Sequence, residues 1–361
     1  MKVKIFGAGS IGNHLANASR KLGWDVAICD LDPEALNRTK NEIYPGRYGE
    51  WDENISLYHN NEVPHGGFDL IIIGTPPDTH LEIALAVLKE NPQAILIEKP
   101  VCGPNLTNAD KLISLAKKQG VSLFVGYDHV VSTATSLACD LATQNIGNII
   151  TLDVEFREYW GGIFGAHPWL EGPWQTYLGF WEKGGGASGE HSHAINLWQH
   201  LAHQIGAGRV VEVQSMMDYV SDDRLDYDQL CLMNLKTENG LVGRCVQDVV
   251  TDPPRKWARI QGDNGYVDWR MTPGIDSIET KINGSNKSVK EITKTRPDDF
   301  IIELKHINNA LINSASSPIS LNFGLDTMLV VAATHLSNKS GKTVCINYDR
   351  GYSNESLSII N

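Results

Sequence analysis

Through its first third the chain alternates short apolar runs with helix-like stretches. Residues 3–6, 24–29, 70–73, 94–97 and 122–125 are brief and rich in Val, Ile, Leu or Phe, as strands covered on both faces of a parallel sheet must be. Residues 81–88 and 112–116 supply crossover helices. The repeated unit is strand, helix, strand, and its expected product is a doubly wound α/β sheet. After Gly126 the rhythm changes. A helical stretch at 133–143 precedes a long strand candidate at 149–156, and further strands are predicted at 210–219, 230–235, 241–250, 257–261 and 266–269. Short turns such as Thr237-Glu238-Asn239-Gly240 favour antiparallel pairing. The polar tract 281–299 reads as strand ends and a solvated loop, 300–312 and 325–336 as helices, and 343–347 as a closing strand. The pattern predicts two domains, a parallel-sheet domain over 1–126 and an α+β domain over 127–361. Between 159 and 186 lies a connection too long for a turn, holding Trp160, Trp169, Trp174 and Trp181. Long loops are usually functional or disordered, and this aromatic content argues against disorder.

The first strand runs into Gly7-Ala8-Gly9-Ser10-Ile11-Gly12, followed by a helix-like stretch over 11–22. In G-x-G-x-x-G the glycines make a tight turn, admit a pyrophosphate and let helix pack on strand, while N–H groups at the helix start face the phosphates. Asp30 ends the second strand, 18 residues after Gly12, where a carboxylate accepts ribose hydroxyls; as a plain turn residue beside Asp32-Pro33 it would need no ligand. The two signals together predict a dinucleotide-binding Rossmann domain. NAD is favoured over NADP, because Asp30 repels a 2′-phosphate and its neighbours Cys29, Leu31 and Asp32 bring no cation. Two more strand ends deliver Gly74-Thr75-Pro76-Pro77-Asp78-Thr79-His80 and Glu98-Lys99-Pro100 to the same edge. Thr75, Pro76, Pro77, His80, Glu98 and Lys99 are therefore cofactor-side candidates. Lys99, followed by a proline that fixes the backbone, is placed to present its ammonium beside the cofactor; the plain alternative is a lysine on a surface loop.

Composition narrows the partners. The 361 residues carry 31 Lys plus Arg against 43 Asp plus Glu, a net charge of −12, the wrong sign for a phosphate-backbone binder. Hydrophobic residues at 42% and charged residues at 20% are globular proportions. No apolar stretch approaches the ~18 residues that span a bilayer, and glycines interrupt any signal-peptide core at the N-terminus. A soluble, cytoplasmic protein is expected. Six cysteines without a CxxC pair read as reduced, mostly buried thiols.

GAGSIG, Asp30, GTPPDTH, Glu98-Lys99-Pro100 and Val125-Gly126-Tyr127 occur in the order and at the spacing of the Gfo/Idh/MocA oxidoreductases, a family named for glucose-fructose oxidoreductase and inositol dehydrogenase, which the whole chain resembles. The resemblance implies a second domain built on an open, mostly antiparallel sheet that carries substrate and mediates dimers or tetramers. It also implies a sugar, polyol or nucleotide-sugar substrate.

The chemical end is expected after the glycines at 184–186. Ile195, Trp198, Leu201, Ala202 and Ile205 mark the apolar side of a helix there, and Glu190 and His193, three apart, fall on one helical face. A carboxylate beside an imidazole orients it and raises its basicity, as a general base requires. By the resemblance, His193 matches the catalytic histidine, Glu190 its acidic partner, and Asn196 the last polar position of the motif, where it contacts substrate. Tyr127 and Asp128 match an aromatic-Asn pair that contacts substrate, with Asp in place of Asn. Arg157, Trp174 and Tyr177, in or beside the aromatic segment, are further substrate candidates: rings suit sugar faces, and Arg157 suits a carboxylate or phosphate. No metal is expected. His191 and His193, two apart, diverge on a helix, His200 and His203 form no HExxH, and no cysteine-rich set exists. The expected chemistry is hydride transfer between nicotinamide and a secondary hydroxyl, with His193 taking the proton and Lys99 holding the oxygen. An NAD-dependent glycosidase and a non-catalytic sugar or NAD sensor are the alternatives.

Overall fold

The computed structural model describes residues 1–165 and 167–360, apart from the side chain of Arg296. Six strands, β1 (Lys2–Phe6), β2 (Asp25–Asp30), β3 (Ile55–His59), β4 (Leu70–Ile73), β5 (Ala94–Ile97) and β6 (Ser122–Val125), form one sheet in the order β3-β2-β1-β4-β5-β6. All pairings are parallel. β4 and β5 are buried at every position, which their unbroken apolar sequence requires. Strand order reverses between β1 and β4, and ligands of doubly wound sheets bind at such a switch point, outside the carboxyl ends of the strands. β3 was not predicted. It is an edge strand of which only Ile55 is buried, so its hydrophobic signal is weak.

The second sheet has ten strands: β7 (Ile149–Arg157), β8 (Val210–Asp222), β9 (Leu225–Thr237), β10 (Val242–Asp248), β11 (Arg255–Gly262), β12 (Gly265–Thr272), β13 (Ile275–Ile282), β14 (Ser288–Thr293), β15 (Val344–Ile346) and β16 (Leu357–Ile359). Their order is β14-β13-β12-β11-β7-β10-β9-β8-β15-β16. Every pairing is antiparallel except β7 with β10. The polar tract expected as strand ends and loop contains β14; this edge strand, SVKEIT, is almost wholly exposed, so it has no apolar period to read.

Helices cover one face of this sheet. Trp198, on helix Ser192–Gln204, donates its indole N–H to the Leu152 carbonyl of β7 at 3.0 Å. Ser215 of β8 donates to Thr334 O of helix Leu321–Ser340 at 2.7 Å. On the opposite face Met216 and Leu232 pair across strands and stay exposed, at 74% and 39%. Helix Arg296–Asn313 returns to the first domain and packs on helix Ser10–Lys21, with Phe300 stacked on His14 at 5.1 Å. One continuous apolar core therefore joins both sheets. The aromatic segment folds as short helical turns around a smaller core of Trp160, Leu178, Ala187, Leu225, Tyr227 and Val249; Ala166, within that segment, lies outside the described residues. Among the described residues no helix is long and apolar enough to cross a membrane.

Candidate active site

The cofactor end is made of main chain. Gly7 turns the chain with φ +104°, and a Cβ at Gly12 would lie 2.0 Å from the Gly7 carbonyl oxygen, so only glycine lets the following helix seat on the turn. Gly9, in contrast, faces open space, with no atom within 4 Å of a built Cβ, and no side chain caps the helix that begins at Ser10 and Ile11. Uncapped N–H groups opening on free space fit a pyrophosphate. Asp30 is held at the end of β2 because its carboxylate accepts from Ala8 N at 2.8 Å and Asp32 N at 2.9 Å. Thr75, Pro76 and Pro77 follow β4 on the same edge. His80, expected to face the cofactor, does not: it is fully buried, with Nε2 2.6 Å from Thr75 O and Nδ1 3.1 Å from Pro100 O. It ties the loop after β4 to the loop after β5. A cation that sequence reading missed, Arg47, reaches the start of the helix, donating to Ser10 O at 3.0 Å and Ser10 Oγ at 2.9 Å.

The chemical end joins the two domains. Lys99, just beyond β5, donates from Nζ to Glu190 Oε1 and to the Glu190 carbonyl, both at 3.0 Å. Tyr177 donates its hydroxyl to the other carboxylate oxygen of Glu190 at 3.2 Å. Burial alone would raise the Glu190 carboxyl, but the Lys99 ammonium and its hydrogen bonds hold it below the usual range. Glu98 lies beneath: burial pushes it up to about 8 against the pull of Lys99, and its carboxyl packs so close to Gly126 that a Cβ there would sit 2.8 Å away.

Glu190 and His193 do not share a helical face, which corrects the expected pairing. Helix Gly186–Glu190 stops at His191, whose φ and ψ of −94° and 24° break the path, and a new helix starts at Ser192. Gln247 of β10 donates to the His191 carbonyl at this break, which also accepts from Ala194 N at 2.8 Å. The acid near His193 is instead Asp128, with Oδ1 3.9 Å from His193 Nδ1 and 2.7 Å from His129 Nδ1. The two imidazoles stack at 4.2 Å and 16°, continued by Phe156 and Trp269, themselves parallel at 5.9 Å. Burial pushes the His193 imidazole well below its ordinary range; His129, Lys99 and Lys256 push the same way, and Asp128 opposes them.

Asp128, His129 and His193 bring three ligand-type atoms within 4.8 Å of one another. Coordination by both imidazoles needs the ion in both ring planes. Two nearly parallel rings at stacking distance do not meet that condition, and the arrangement fits protons better than a metal.

Several substrate candidates lie elsewhere. Tyr127 is fully buried and its hydroxyl donates to Ser192 Oγ at 3.2 Å; it supports the helix start from beneath and meets the His193 ring edge-on at 5.5 Å. Asn196 is 3% exposed and bonded to Thr327 Oγ1 of the neighbouring helix at 3.0 Å. Arg157 alternates with Phe156 along β7, so it points to the other face of the sheet, where Asp248 accepts from its Nε at 2.6 Å. Trp174 packs on the small aromatic core under the Arg224 guanidinium, 4.7 Å from its ring. Sequence reading missed Lys256, which is bonded to Glu158 at 2.7 Å, and Glu303, a buried acid on helix Arg296–Asn313 whose Oε1 has no hydrogen bond. Nothing in their local pattern marks them; the distant segments meet only in the fold.

Comparison with known proteins fits this architecture. Residues 1–127 match the oxidoreductase family with NAD-binding Rossmann fold, Gfo/Idh/MocA, and residues 141–346 match the C-terminal α/β domain of the same family. No curated protein matches significantly. Among solved structures, a levoglucosan dehydrogenase in complex with NADH superposes with a TM-score of 0.78 at 16% identity, covering 96% of this chain and 98% of that one. GenD2 from gentamicin A biosynthesis, in complex with NAD, gives 0.75 at 18% identity over 96% of each chain. The WlbA dehydrogenase from Bordetella pertussis, in complex with NADH and UDP-GlcNAcA, gives 0.70 at 20% identity over 95% and 97%. The two consecutive domain matches span most of the chain, which therefore belongs to the Gfo/Idh/MocA family of oxidoreductases, with an N-terminal NAD-binding Rossmann domain.

Proposed function

We propose that this protein is a dehydrogenase that transfers a hydride between NAD and a secondary hydroxyl of a sugar, polyol or nucleotide-sugar. The observation that carries the reading is the cross-domain contact at the strand edge: the Lys99 ammonium, delivered by the Rossmann sheet, is bound by Glu190 at 3.0 Å, and His193, three residues on, lies within its electrostatic reach. The nicotinamide, when bound, supplies the hydride acceptor. Gly7, Gly9, Ser10, Ile11, Gly12 and Asp30 hold the cofactor's phosphates and ribose, with Thr75, Pro76, Pro77 and Glu98 along the same edge. Asp30 also selects NAD over NADP by charge. His193 takes the hydroxyl proton at Nε2, since Nδ1 is its buried nitrogen. Lys99 holds the same oxygen and stabilises the negative charge that develops on it. Glu190 and Tyr177 keep Lys99 in place, and Asp128 borders the same cleft.

A carbohydrate substrate is supported by solved relatives that hold levoglucosan or UDP-GlcNAcA. We place the domain junction at Gly126, directly after β6. The exposed apolar residues of the open sheet face support a homo-oligomer, to be checked by light scattering. The function is tested by incubating the protein with NAD and a panel of neutral, acidic and nucleotide-linked sugars. Substrate-dependent NADH formation, lost in Lys99→Met and His193→Ala, is expected. Release of an aglycone without net NADH would replace the reading with a glycosidase, and tight NAD binding without turnover would replace it with a sensor.

A further inference from the structure

The segment after β6 places two chemically active side chains against the base. Asp128 and His129 belong to the turn Asp128–Val131, and both aim at His193 on the helix Ser192–Gln204. The Nδ1 atoms of the two rings lie near one oxygen, Asp128 Oδ1, at 2.7 Å from His129 and 3.9 Å from His193, and neither contact is a hydrogen bond as the rings stand. That leaves Nε2 of His193 for the cleft. Two imidazolium ions stacked at 4.2 Å repel strongly, whereas one carboxylate between two imidazoles stabilises a single shared proton. Other charged groups surround the trio, and the buried carboxyls of Glu98, after β5, and Glu303, on helix Arg296–Asn313, both act on Asp128. Tyr127 meets His193 edge-on, Lys99 comes from the end of β5 and Lys256 from β11, Phe156 lies against both rings, and Trp269 packs on His129. Asp299, on helix Arg296–Asn313, is within electrostatic reach of Asp128 and His129 and is tied to Lys294 at 2.9 Å.

We propose that Asp128, His129 and His193 act as one proton-holding unit, in which Asp128 bridges the stacked imidazoles and His129 receives the proton that His193 takes from the substrate. The proposal rests on the dehydrogenase reading above. In the step, the substrate O–H bond breaks and its proton joins Nε2 of His193. The proton on Nδ1 of His193 passes through Asp128 Oδ1 to Nδ1 of His129, and His129 releases its Nε2 proton to water. Each ring gains one proton and loses one, and no electrons change hands. Both links need ring movement: about 1 Å closes the 3.9 Å gap to hydrogen-bond range, and the His129 ring must turn to aim Nδ1 at Oδ1. Asp128 thereby takes the part first expected of Glu190, which is committed to Lys99.

The two bridging residues act on His193 with opposite sign, and this makes the proposal testable. The base works only when neutral, so activity falls as pH drops through its pKa. Removing Asp128 takes away the charge that favours the imidazolium, and the acid limb of kcat/KM against pH moves down. Removing His129 takes away a competing positive charge, and the limb moves up. We expect Asp128→Asn to shift the limb down by about one unit and to lower kcat about 10-fold, and His129→Phe, which keeps the aromatic stack, to shift it up by about half a unit. Unshifted limbs, or shifts of the same sign, in an active enzyme would overturn the proposal. An NMR titration of the histidine ring nitrogens in the wild-type protein without substrate provides a readout free of turnover, and covers a variant that does not fold. Coupled titration of His129 and His193 supports the unit, and independent titration refutes it. Coupled titration in a protein that oxidises no sugar would sink the dehydrogenase reading and leave the proton unit standing.

Discussion

The two ends of the cleft are built by different means. At the cofactor end the parts are consecutive in sequence: one turn, Gly7 to Gly12, and one carboxylate, Asp30, whose place is set by two backbone N–H groups. At the chemical end almost every important contact crosses between segments far apart in the chain. Lys99 meets Glu190 from 91 residues away, and Tyr127 meets Ser192 from 65. A site made of main chain tolerates little change in backbone but much in neighbouring side chains. One made of converging side chains is expected to fail singly, through the loss of individual groups.

That contrast orders the expected effects of mutation. The largest fall on the convergent end: His193→Ala and Lys99→Met each lower kcat by about 10³-fold, with the NAD dissociation constant, measured by calorimetry, changed less than about 2-fold. Loss of NAD binding in either variant would erase the distinction between the two ends. Next comes Gly12→Ala, where the added methyl must displace the Gly7 carbonyl. Overpacking costs of about 1–3 kcal/mol translate into NAD affinity weakened about 10- to 100-fold in the same calorimetric assay, with kcat at saturating NAD nearly unchanged. A smaller effect is expected of Glu190→Gln, which keeps a hydrogen-bonding partner for Tyr177 but removes the negative charge that pairs with Lys99; steady-state kinetics should show kcat down about 10-fold with KM little altered. The smallest belongs to Arg157→Ala. Asp248 retains Thr251 and two backbone donors, so stability measured by thermal unfolding drops by about 1 kcal/mol or less, and KM for the sugar stays the same. A raised KM would return Arg157 to the cleft.

Opposing ionisations follow the same division. Glu98, under the cofactor-facing edge, is pushed up to about 8 by burial, whereas His191 and His193, a few residues apart on the second domain, are pushed down, His191 to about 4, again by burial. In each case desolvation disfavours the charged form, which means the protonated imidazole for the histidines and the carboxylate for Glu98.

The sequence by itself determined the doubly wound first domain, its dinucleotide turn, Asp30 and the delivery of Lys99 to the strand edge. Each of those is a local pattern with one physical cause: apolar runs that must be covered on both faces, glycines that alone fit a packed turn, and a strand end that fixes where its next residue goes. Only the tertiary structure decided which acid lies beside Lys99 and which beside His193. Three-residue spacing put Glu190 beside His193 on paper, but the helix breaks at His191, and no periodicity announces a break of that kind. It placed His80, Tyr127 and Asn196 under the cleft instead of in it, sent Arg157 through the sheet to Asp248, and brought His129 and Asp128 to His193. Edge strands β3 and β14 escaped for a related reason, because a strand that buries little carries little pattern. Side-chain partners across sixty or ninety residues are chosen by how sheets and helices pack, and that choice is an outcome of the whole fold.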